Sequence, residues 1–284
     1  MVKSDHFCRI YRQRNTPFLQ MNTNDKLVPD SNRRDFLKGG SMATLMTMLG
    51  GIELVAPAAR AADIDKLIAF QVKLGVIGMG PWGRDNILHT LARIKEAQVV
   101  AVCDHYPASL KKGAAAAPGA EAVDDYRKVL DNKDIQAVVV VTPSHQHKEI
   151  VIAALQAGKH VYCEAPMAAS IEDARAIARA ARDAKKQVFQ VGLQQRSEPQ
   201  RYFLLSFIRS GAMGKNLMAR AQWNKKQPWR FPSPNPDREK EINWRLRGDV
   251  SSGLMGEIGV HQHDSVSWYL GARPTSVTGF GSLT

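Results

Sequence analysis

The stretch at 71–104, QVKLGVIGMGPWGRDNILHTLARIKEAQVVAVCD, constrains the fold more than any other part of this 284-residue chain. Val72, Leu74, Val76 and Ile77 make a short apolar run, which predicts a buried strand. Gly78-x-Gly80-x-x-Gly83 follows at once, with Met79, Pro81 and Trp82 between the glycines. Ile87, Leu88, Leu91 and Ile94 then recur at helical spacing. A second apolar run ends at Asp104, 21 residues past Gly83. Gly78 permits a tight turn, Gly80 lets the backbone approach a pyrophosphate, and Gly83 lets helix and strand pack closely. The helix start offers unpaired N–H groups and a partial positive charge to phosphates. Asp104 can accept hydrogen bonds from a ribose hydroxyl, and its charge would repel a 2′-phosphate, which favours NAD over NADP. His105, Lys111 and Lys112 keep the phosphorylated form open.

The alternation continues. DDYRKVLDN reads as a short helix and IQAVVVVTP as a buried parallel strand. HKEIVIAALQAG reads as a helix closed by Gly158. KHVYCEAP is the next strand and turn, and Ser170 with Asp173 forms a capping box for the helix that follows. QVFQVGLQ closes the series. The expectation is a doubly wound, Rossmann-type parallel sheet over 62–192, with ligands at the carboxyl ends of its strands. After Gly192 the pattern changes. Residues 193–284 predict an α+β substrate domain with an open, mostly antiparallel sheet, cut short at its C-terminal side, with NLMARAQWN and TSVTGF as strands.

The net charge is +12, but no run of five Lys or Arg occurs, so a nucleic-acid partner is not expected. Cys8, Cys103 and Cys163 are too few for a disulfide scaffold. Residues 1–61 have the parts of an export leader. Arg33 and Arg34 before DFLK resemble a twin-arginine signal, a weakly apolar segment follows, and Ala59-Arg60-Ala61 offers a small-x-small cleavage site. The expectation is passage through the twin-arginine machinery to a periplasmic or extracellular location, with no stable membrane span.

Taken together, GVIGMGPWG, the Cys103-Asp104 pair, VVVVTPSHQH, AGKHVYCEAPMA and GEIGVHQHD resemble the Gfo/Idh/MocA oxidoreductases, the glucose–fructose oxidoreductase and inositol dehydrogenase family. The resemblance runs in order over 70–284. It implies hydride transfer between NAD(P) and a sugar or polyol carbon, and a homo-oligomer. It places the cofactor against Gly78–Gly83, Asp104, Thr142, Pro143, His147 and Glu164. The family's usual site has a lysine in Glu-Lys-Pro and an Asp-x-Gly-x-His motif. Here the lysine position is Ala165, the aspartate position is Glu257, and the histidine is His261.

Oxidising an alcohol needs a base for the hydroxyl proton, and an imidazole suits that role. His261 and Glu257 are therefore the candidate catalytic pair, with Tyr162 or His147 as substitutes for the lost lysine. Arg196, Trp244, Arg245 and His261 are candidate substrate contacts, with Trp223 and Trp229 as further stacking walls. No metal is expected, since nothing fixes a ligand geometry for the His-x-His pairs. An exported enzyme meets no free NAD(P) pool, so the cofactor would have to stay bound and be recycled. A sugar or polyol oxidoreductase is the first reading. A redox-cycling glycosidase and a non-catalytic nucleotide- or sugar-binding protein are the alternatives that Ala165 invites.

Overall fold

The computed structural model describes residues 71–224 and 229–281; the leader lies outside them. Six strands form one parallel sheet in the order β3-β2-β1-β4-β5-β6. They are β1 (Val72–Ile77), β2 (Ala97–Cys103), β3 (Glu121–Val123), β4 (Ala137–Val140), β5 (His160–Cys163) and β6 (Phe189–Val191). The order turns back at β1, which lies between β2 and β4, so the crevice for a ligand opens at the carboxyl end of β1.

Alternate strand residues go to opposite faces. Ile77, Val138 and Val140 join Ile150, Val151 and Ile177 in one core layer, while Val76 and Val139 join Leu88 and Met79 in the other. Helix α1 (Gly83–Leu88, π-wound, running on as His89–Leu91) and α2 (Pro107–Ala116) cover the second layer. Helices α3 (Tyr126–Asp131), α4 (His147–Gln156) and α5 (Ile171–Asp183) cover the first. Cys103 and Cys163 are buried free thiols within it, and burial pushes both up, Cys103 to about 12. The Ser170 side chain accepts the Asp173 N–H at 3.1 Å, the N-cap half of the expected box, while the Asp173 carboxylate pairs with Lys148; Gly158 takes φ +79° at the end of its helix, as expected. The pattern carried no mark of β3, which has three residues, or of the alanine-rich α2.

Beyond Val191 come α6 (Pro199–Arg209), α7 (Pro236–Ile242), α8 (Gly253–Glu257) and α9 (Gly259–Leu270). The second sheet expected here is not formed among the described residues. Residues 215–224 and 276–281 are irregular and exposed, with Leu217 at 88% and Phe280 at 98%. A strand needs a neighbour for its N–H and C=O groups, and neither segment has one among the described residues. No described helix is long and apolar enough to cross a membrane.

The tightest backbone contact in the fold is at the first turn. A Cβ on Gly83 would stand 2.1 Å from the Gly78 carbonyl oxygen. Gly83→Ala should therefore cost about 3 kcal/mol, the upper end for an overpacked site, read as a lower midpoint in urea.

Candidate active site

The glycine loop forms a cradle whose parts differ in function. Gly78 sits at φ +106°, where a Cβ would strike the Val141 backbone at 2.7 Å. Gly80 is different: a Cβ there would meet nothing within 4 Å. Its open side is the space that a pyrophosphate would fill, so the residues present fit a dinucleotide. Asp104 braces this loop. Its Oδ2 accepts the Met79 N–H and its Oδ1 accepts the Tyr106 N–H, each at 2.8 Å. Each oxygen keeps a second lone pair, so a ribose hydroxyl can still bind there.

Met79 was expected to touch the cofactor, but its side chain is fully buried beside Val76 and Leu88 and its N–H is taken by Asp104. It builds the loop from beneath. Pro81 and Trp82 remain exposed on top. The Trp82 indole donates to Glu164, whose carboxyl is pushed up by burial and partly held down by hydrogen bonds from Trp82, Tyr162 and the Ala165 N–H. Glu164 thus ties the glycine loop to the turn after β5. Gly192 leaves room for this pairing, since a Cβ there would stand 2.6 Å from the Tyr162 hydroxyl.

His147 also departs from expectation. It is 1% exposed, with Nδ1 3.1 Å from the Pro166 carbonyl and Nε2 2.9 Å from the Thr142 carbonyl. Each nitrogen faces a backbone carbonyl, and the neutral ring, with its one N–H, donates to one of the two, so it packs between two loops and offers nothing to a cofactor. Thr142 and Pro143 are half-buried at the end of β4, and Thr142 Oγ1 is buried without a partner among the described residues.

Two anchors fasten α8 and α9 across the strand ends. Glu257, 5% exposed, accepts Ser144 Oγ at 2.8 Å, Ser251 Oγ at 3.2 Å and Ser252 Oγ at 3.3 Å, all on Oε1. Ser144 lies just past β4. Asp264 accepts Arg196 Nε at 2.8 Å and Nη2 at 2.7 Å, and Arg196 lies just past β6. Strand β5 runs between those two. His261 lies on α9, between these two anchors in the sequence and one turn before Asp264. Burial holds its imidazole below the ordinary value, with Asp264 opposing, and its Nδ1 is buried without a partner among the described residues.

The other candidates fall into place around this frame. Glu257 reads as an anchor, since a carboxylate held by three serines is fixed in orientation. Arg196 is committed to Asp264 and lies 5.2 Å over the Trp268 ring, so it positions α9 and is not free to grip a substrate. Trp244 is 7% exposed, with His145 at its edge and Arg245 4.4 Å over its ring, so it presents no stacking face. Burial lowers Arg245, and the Glu257 carboxylate opposes that. Trp223 is half exposed on an apolar groove of about 340 Å³ along α8 and α9, which contains neither His261 nor Glu257. Among the described residues no group of three or more His, Cys, Asp or Glu could hold a metal. Ser144 is a site-building residue that the sequence reading gave no role; nothing in local pattern marks a serine that will meet a glutamate 113 positions away.

A parallel sheet with an open glycine cradle at its switch point defines a dinucleotide-binding protein of the Rossmann class. Comparison with known families narrows this. Residues 72–193 match the profile described as oxidoreductase family, NAD-binding Rossmann fold, and residues 204–284 match the GFO/IDH/MocA C-terminal domain. The chain belongs to the GFO/IDH/MocA oxidoreductase family. A levoglucosan dehydrogenase from Pseudarthrobacter phenanthrenivorans is 33% identical over 53% of this chain and 37% of its own length. An inositol 2-dehydrogenase from an Arthrobacter species is 30% identical over 72% of this chain and 56% of its own length. An oxidoreductase domain protein from Kribbella flavida superposes with TM-score 0.57 at 26% identity, over 72% of this chain and 55% of that one. A scyllo-inositol dehydrogenase from Lactobacillus casei, solved with NAD(H) and scyllo-inositol, shares the fold with TM-score 0.55 at 24% identity, over 71% of this chain and 56% of that one. The chain thus spans about half the length of these relatives.

Two outcomes follow from this geometry. Gly80→Ala should unfold at the wild-type midpoint yet bind NAD at least about tenfold more weakly by titration calorimetry, because its methyl enters only the phosphate space. His147 is held neutral by burial, against the pull of the Thr142, Pro166 and Met167 carbonyls. The unfolded imidazole takes up a proton near pH 6.5 and the folded one only at lower pH. Stability should therefore be full above about pH 6.5 and fall below it, by at most about 1.4 kcal/mol per pH unit from this residue. The slope between His147→Gln and wild type in pH-resolved urea unfolding checks this.

Proposed function

We propose that this chain is an exported, NAD-dependent oxidoreductase acting on a hydroxyl-bearing carbon of a sugar or polyol. The observation that carries the reading is the open glycine cradle braced by Asp104, with His261 on a helix whose flanking Glu257 and Asp264 bind Ser144 and Arg196 past β4 and β6. When bound, NAD supplies the hydride acceptor. The chain's task is to take the hydroxyl proton. His261 is neutral in the physiological range because burial lowers it, so it is ready to accept that proton. Asp264, one helical turn on, favours the protonated imidazole that results. Glu164, packed against Trp82 and Tyr162, walls the site from the sheet side. Relatives named for levoglucosan and inositol support a cyclic polyhydroxylated substrate. Export by the twin-arginine route, which carries folded proteins, would require the cofactor to travel bound and be recycled in place.

Ala165 favours one second reading. A methyl group neither donates nor accepts a proton, so an enzyme that oxidises and then re-reduces one glycoside, releasing its aglycone without net NADH, also fits the site. The two are separated by following NADH at 340 nm together with aglycone release. His261→Ala should lower kcat by about 10²-fold or more with NAD affinity unchanged, and the acid limb of the wild-type pH–kcat profile should vanish with it. Equal turnover in wild type and His261→Ala would remove the imidazole from the mechanism. Ala165→Lys should raise alcohol oxidation if the pocket is otherwise complete.

A further inference from the structure

A lobe of the second half sits on the loop that carries Asp104, and nothing in the glycine motif requires it. Its base is closed by Asn243, 5% exposed, whose Oδ1 accepts the Phe231 N–H at 2.7 Å and whose Nδ2 donates to the Phe231 carbonyl at 3.0 Å. Between these residues runs α7, opened by Pro236 and capped by Asn235, whose Oδ1 accepts the Arg238 N–H at 2.8 Å. The excursion is therefore prebuilt as a closed loop whose ends meet.

It presents two side chains to the residues directly after Asp104. The Arg238 guanidinium lies 3.8 Å over the Tyr106 ring. Glu241 Oε2 accepts from Arg238 and stands 3.3 Å from His105 Nε2, while His105 Nδ1 stands 3.8 Å from Asp104 Oδ1. The Arg238 side chain is 15% exposed, and its Nε is buried without a partner among the described residues. A buried donor with no acceptor needs a reason, and an acceptor brought by a ligand supplies one.

We infer that the lobe 231–243 is a clasp for the adenosine half of the nucleotide, with Arg238 as its binding residue. This rests on the nucleotide reading above. A ribose on Asp104 at the end of β2 extends its adenosine along His105 and Tyr106, where Arg238 closes from the other half of the chain. A planar cation already stacked on an aromatic ring suits contact with a purine or a ribose oxygen. The nucleotide is then gripped by both halves, and its escape requires the lobe to lift.

The test uses the full chain and two probes, NAD and ADP-ribose, with affinity by titration calorimetry and dissociation by stopped-flow fluorescence. Arg238→Ala is expected to weaken both probes about tenfold and to speed NAD release by a similar factor. Arg238→Lys keeps the charge and loses the planar face, so it should show most of the same loss and covers the case in which the alanine variant does not fold. If a folded variant binds ADP-ribose with wild-type affinity, the clasp is overturned and Arg238 is a docking contact between halves, while the proposed function stands. A lower unfolding midpoint without loss of affinity overturns it too. A wild-type protein that binds neither probe sinks the proposed function and the clasp together.

Discussion

The Glu257 carboxylate holds the molecule's working arrangement together. A charge buried to this degree is tolerable only with hydrogen bonds to replace water, and three serine hydroxyls converge on one of its oxygens. One of those serines belongs to the turn after β4, so the bond joins the sheet to the helices that follow it. The Arg196–Asp264 fork adds a second fixed point past β6. His261 lies between these two fixed points in the sequence. Glu257 thereby becomes more important to the site, while its role changes from proton handling to placement.

The same logic governs the nucleotide side. Asp104 satisfies two backbone N–H groups before any ligand arrives, so the glycine loop is held in its binding shape in advance. Preorganisation of this kind lowers the ordering cost of binding. Glu164 then links that loop to the β5 turn through Trp82 and Tyr162, and His147 links the β5 turn to the β4 turn. Four strand-end loops are thus tied to one another, and the groups buried among them set their relative positions.

Much of the nucleotide-binding half was legible because its signals are local. Runs such as AVVV, glycines with fixed spacing and the Ser170 cap each state a backbone preference within a few residues. What escaped was of two kinds. Elements of three residues, such as β3, are too short to show a period. Roles that depend on distant partners were invisible or misread: Met79 was expected to touch the cofactor yet is buried beneath the loop, Trp244 looked like a stacking wall, and His147 looked like a cofactor contact. The second sheet, not formed among the described residues, was out of reach for a related reason. Extended, alternating sequence at 216–224 signals readiness to pair, and pairing needs a neighbour that no local pattern can supply.

The sheet's outline has a consequence of its own. Its outer strands, β3 and β6, are three residues each, while the longest strands, β1 and β2, lie inside. A margin that short gives another chain few free amides to zip against, so the sheet resists growth into aggregates at either side. Among the described residues, extended stretches with exposed apolar side chains and no strand partner lie instead in the second half, around Leu217 and Phe280. Any self-association of this protein through misplaced β-pairing should therefore begin there, far from the nucleotide cradle in sequence, and leave the Rossmann sheet intact within the assembly.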